Sequence, residues 1–247
     1  MVANTTNPFL SQKFWEYGQT QQRMTFEGTI SKILTLFGVM LLGVFVVFAT
    51  AINNPSMMMM YWLVGAIGSF ILSLVLWIAR PENPQMVVLP HAFLEGLFVG
   101  GISLFAEMFY PGIALNAGLI TTGIVGSMFA FFKFTGFRAS RGFNMVLGSA
   151  VMAIMFVYLI QMVLFLAGTN LEVPFLHSNG PIGIGISVVI IAIASLTLLS
   201  DFTFIENGIK GGSAQKYEWY GAHGLLVSVV WIYFEVLRLL MKLASKR

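Results

Sequence analysis

The chain has 247 residues, of which 57% are hydrophobic and 9% charged, with a mean hydropathy of +0.86. A soluble domain carries about 25% charged residues, so this chain lacks the polar groups to cover a globular surface and is expected to be an integral membrane protein. The net charge of +3 comes from scattered Lys and Arg rather than a basic stripe, which argues against nucleic acid as a partner, and the absence of cysteine excludes thiolate metal and redox sites.

Residues 1–29 are polar and hold no long apolar core, so they read as a tail rather than a secretory signal. Residues 30–247 read as one transmembrane domain. A membrane-spanning helix needs about 20 apolar residues. By that measure the chain divides into seven spans: Ile33–Ile52, Met57–Ala79, Met86–Phe109, Ile113–Phe132, Phe143–Ala167, Ile182–Ile205 and Trp219–Leu243. The breaks between them, "NNPS", "RPENP", "YPG", "KFTGFRASRG", "GTNLEVPFLHSNGP" and "ENGIKGGSAQK", carry the proline and glycine of turns. Only helices satisfy their backbone in lipid at this length and spacing, so the expected class is all-α with lipid as the surrounding medium.

Loop charge sets the orientation. Lys13, Arg23, Lys32, Arg80, Lys133, Arg138, Arg141, Lys210 and Lys216 fall on one side, and the three loops of the other side have neither Lys nor Arg. The amino terminus is therefore expected in the cytoplasm. Lys242, Lys246 and Arg247 at the opposite terminus run against that pattern: either the early helices dominate or the last segment fails to cross, and the reading favours the former.

An ionisable side chain at the centre of a span costs about 2.5–3.5 kcal/mol to insert, so such residues are the first candidates for function. At the rise of an α-helix, Glu95 lies about 14 Å inside the third span and Glu235 about 24 Å along the seventh. Glu107 lies at the outer end of the third span, and Asp201 in the inner half of the sixth with Glu206 beyond it. Arg238 follows Glu235 by three residues, on the same helical face, and a plain ion pair would explain both. His91 is expected near the interface, and His177 carries no signal. A hairpin centred near Gly212 sets Asp201 level with His223, and contact between them would make the two titrate as a unit.

At "SDFTFIENG", "EWYGAHG" and "WIYFEVLRLL", with "NPFL" and "MTFEGTISK" near the start, the sequence resembles the Bax-inhibitor-like (transmembrane Bax inhibitor motif) family, in a bacterial branch. The resemblance implies six helices around a more polar seventh, in the plasma (inner) membrane of a bacterium. It also implies a pH-sensitive calcium leak, or a regulator of cell death and membrane proteostasis. The family's sensor is a pair of aspartates sharing protons; Asp201 matches the first, and Glu235, after Tyr233 and Phe234, stands where the second is expected. The interval between them is about ten residues longer than the family's, which by helix rise can separate the two carboxylates. Either the seventh helix begins late, or His223 and Glu206 take over.

Other motifs read as packing. "SMMMM" is apolar filler, and Gly96, Gly100, Gly180, Gly183 and Gly185 are sites of close helix approach. Trp15, Trp62, Tyr110, Trp219 and Tyr220 are expected to anchor the interface. No hydrolase or nucleotide motif is present, so no enzyme and no cofactor is expected. Two functions remain. In a calcium leak, Asp201 is the sensor, Glu235 or His223 its partner and Glu95 a ligand on the path, and a water-filled cavity touches Asp201 and Glu235. In a non-transporting regulator of a membrane protease or stress pathway, the charges hold the bundle together and the tail makes the contacts.

Overall fold

A computed structural model describes residues 23–52, 54–168 and 178–245. The expectations for the tail up to residue 22, with Lys13, Trp15 and "NPFL", and for His177, Lys246 and Arg247 lie outside those residues. The described residues form seven helices: α1 Phe26–Ala51, α2 Pro55–Ala79, α3 Gln85–Phe109, α4 Ile113–Thr135, α5 Arg141–Leu166, α6 Pro181–Lys210 and α7 Tyr217–Ala244. All seven are long and apolar enough to cross a membrane.

Local chemistry sets their ends. Thr25 caps α1 by accepting the Gly28 N–H, so the helix begins before residue 30. Asn54 caps α2 in the same way, with Pro55 at the first helical position. Gly136, at φ +68°, ends α4 in the left-handed conformation that glycine adopts without strain. Glu107, at the end of α3, accepts the Gly112 and Ala114 N–H groups at 2.6 and 2.8 Å and so supplies the cap that α4 lacks in its own sequence.

The interior is made chiefly by α3 and α7, the two helices with more than half of their apolar span buried. α7 is central as expected, but α3 shares that place. Glycine brings α1 and α2 onto it: a Cβ at Gly96 would collide with the Met40 carbonyl of α1, one at Gly65 with the backbone of α3, and one at Gly101 with Trp62 of α2. Gly96 and Gly100 are therefore close-packing sites. A Cβ at Gly185 would meet nothing within 4 Å, so this glycine seats no other helix, whereas one at Gly183 would collide with the Ser178 carbonyl just ahead of its own helix. The outer faces of α2, α4 and α5 expose Ile78, Phe134 and Val146 as a lipid-facing surface. Met59 and Met60 lie on that surface while Met58 is core, as apolar filler does.

One end of the bundle gathers the basic loops. Met24 N–H donates to the Ser213 carbonyl, Lys216 pairs with Glu82 at 2.9 Å, and Glu218 accepts from Thr25 N–H at 2.8 Å and pairs with Lys32 at 2.6 Å. Tyr220 belongs to this end but is 2% exposed, its hydroxyl donating to the Pro81 carbonyl at 3.0 Å. It is core rather than interface anchor, because the α2–α3 turn folds over it. At the other end Lys242 is buried, its ammonium donating to the Gly183 carbonyl and the Ser187 hydroxyl at 3.0 Å each. It is spent on packing α7 against α6 and is no free loop charge.

Candidate functional site

The α6–α7 turn is short, residues 211–216, and α7 begins at Tyr217. The long interval between Asp201 and Glu235 is therefore taken up by helix, not by a loop. Measured from the turn, Asp201 lies about 14 Å up α6 and Ser228 about 17 Å up α7, whereas Glu235 lies about 27 Å up α7. Depth matching thus sets Ser228, rather than His223, opposite Asp201, because the hairpin is centred past Gly212.

The contacts follow these depths. Asp201 is fully buried, and the Ser228 hydroxyl donates to its Oδ2 at 2.6 Å. One residue earlier on α6, the Ser200 hydroxyl donates to the Asn144 side chain of α5 at 2.9 Å. Glu235, also fully buried, sits in a different cluster: Arg238 pairs with one carboxylate oxygen, and Tyr158 of α5 donates to the other. Trp231 Nε1 donates to that second oxygen at 3.3 Å, and Arg238 also bonds the Tyr158 hydroxyl and lies over its ring. The ion pair at three-residue spacing that the sequence suggested is present, with an α5 tyrosine that it did not suggest.

The remaining candidates divide. Glu206 is partly exposed and lies at the basic end, held by Arg138 and, at 3.0 Å, by Lys210. Glu95 is buried on α3 together with His91, which is 1% exposed rather than interfacial, and the His91 ring meets that of His223 on α7. An apolar cavity of about 360 Å³ opens between α2, α3 and α7, lined by residues including Trp62, Gly101, Phe234 and Arg238. Neither Asp201 nor Glu235 lines it. Among the described residues no group of three or more His, Cys, Asp or Glu side chains is placed to hold a metal ion.

The family described as Bax inhibitor 1 like matches residues 7–245, nearly the whole chain. The chain belongs to that family. No curated protein and no solved structure matches it. As a Bax inhibitor 1-like membrane protein it joins its last two helices through one buried carboxylate, Asp201, and anchors the second, Glu235, to a cation on its own helix. Ser228 and Tyr158, which complete these two sites, were invisible to motif reading. A hydroxyl in an apolar helix carries no signal until the partner helix is in place.

Proposed function

We propose that this Bax inhibitor 1-like chain is a pH-sensitive cation leak, with calcium as its cargo and Asp201 as its sensor. The plasma membrane of a bacterium is its setting, with the amino terminus in the cytoplasm. The observation that carries this reading is the fully buried carboxylate of Asp201, hydrogen-bonded by Ser228 across the α6–α7 seam at membrane depth. Protonation would remove the buried negative charge at this seam and give the Asp201 carboxyl a proton to donate, so the contact with Ser228 across α6 and α7 responds to it. Carboxylate oxygens are also the hard ligands that calcium prefers. Glu95 is the acid on the cation's route, and Glu206, with its two cations, marks the mouth.

The test is calcium flux into proteoliposomes of the purified protein over a range of external pH. Wild type is expected to conduct with a pH dependence that Asp201→Asn flattens; an unchanged pH response in that variant overturns the assignment of the sensor. A second reading, a non-transporting regulator of a membrane protease or stress pathway, is favoured by a specific feature. Glu206, Glu218 and Glu235 each have a cation partner and so serve as internal ties. Absence of flux for every ion and pH would decide for it.

A further inference from the structure

A second group of titratable side chains joins α3 to α7. His91 on α3 and His223 on α7 stand at the same depth, about 9 Å from the starts of their helices. Their rings meet edge to face, centroids 4.3 Å apart at 89°. His91 Nε2 is hydrogen-bonded to the Ser73 hydroxyl of α2 at 2.8 Å. Its other nitrogen, Nδ1, faces Glu95 Oε2 one turn deeper at 3.5 Å. Both of those atoms are buried and neither makes a hydrogen bond. Ala92, Val88, Leu76, Ala222 and Leu226 make the surrounding core apolar.

We infer that Glu95, His91 and His223 form a site that takes up and releases a single proton, joining α3 to α7. The charge count gives the number. With an ionised Glu95 and two neutral imidazoles the cluster bears one negative charge in an apolar core, and one proton cancels it, whether it resides on the carboxylate or on a ring. A second proton would leave the cluster cationic beside a ring already in contact, with no further carboxylate to balance it. His223 makes the site a property of two helices: charge on His91 and charge on His223 exclude each other at this separation.

The neighbouring helices present the following groups. Ser73 comes from α2. Lys32 of α1 is held by Glu218, five residues before His223, and the Tyr220 hydroxyl is engaged by Pro81. From α6 comes Asp201, bound by Ser228 five residues beyond His223. α4 carries no acid and no histidine.

The chain has three histidines. In a His177→Gln background, histidine-selective ¹⁵N labelling therefore leaves the rings of His91 and His223 alone in the NMR spectrum. Both are expected to change in one common step between about pH 5 and about pH 8, the range in which imidazoles titrate. Glu95→Gln is expected to move or abolish that step, and Ser228→Ala, which removes the hydroxyl bound to Asp201, to leave it in place. Independent titration of the two rings, no titration at all, or a step indifferent to Glu95→Gln overturns the site. Should Glu95→Gln fail to fold, Ser73→Ala serves instead: it must displace the common step, and an unmoved step overturns the site equally. The readout requires no ion flux, so this result and that of the leak assay fall independently.

Discussion

Arg238 and Glu235 show how much a single helix can disclose. Their spacing of three residues made the pair legible, since both side chains lie on one face whatever the rest of the bundle does. The tyrosine that bridges them comes from α5, across 77 residues of sequence, and no local rule could have named it. Removing one partner of a buried pair leaves the other charge uncompensated. Arg238→Met is thus expected to destabilise the protein by about 3–5 kcal/mol, and Glu235→Gln in the same chain to restore part of the loss. Thermal unfolding in detergent of the two single variants and the double checks this; three equal midpoints would show the pair to be dispensable. His91 and Glu95, four residues apart, also meet on α3, but that pair was not read, because His91 was set at the interface from its sequence position alone. Burial by α2 and α7 decided otherwise.

Among the elements, helix length and number followed directly from apolar runs, because lipid leaves the backbone no alternative. Ends shifted by a few residues where a cap lay outside the apolar run, as Thr25 does for α1 and Gly211 for α6. Partnership between helices was only partly readable. Gly96 and Gly100 proved to be sites of close approach, between α1 and α3, but Gly185 gave the same signal and would meet no neighbour with a Cβ, since small residues mark a possible approach and not its use. The contrast makes a test. Gly96→Ala has no room for its Cβ and is expected to cost about 1–3 kcal/mol, the usual penalty of overpacking. Gly118→Ala meets nothing within 4 Å and is expected to be neutral or mildly stabilising. Equal melting temperatures for the two variants would show that the α1–α3 seam can yield.

For the molecule as a whole, seven helices that each cross would place the two termini on opposite sides of the membrane. The basic end carries Arg23, Lys32, Arg138, Lys210 and Lys216, drawn together from loops far apart in sequence. Lys242 does not compete with them, because it is occupied inside the bundle. A reporter fused at the amino terminus is expected to be active only in its cytoplasmic form, and one fused after Arg247 only in its exported form. The same side for both would mean that one of the seven helices does not cross.

The glycine contacts along α3 carry one more consequence. Backbones in direct touch at Gly43, Gly65, Gly96 and Gly101 leave no lubricating layer of side chains, so α1, α2 and α3 can only travel together. Any opening of the bundle must then be a displacement of its other half against this fixed wall. The moving surface runs past His223, whose ring meets His91 of α3.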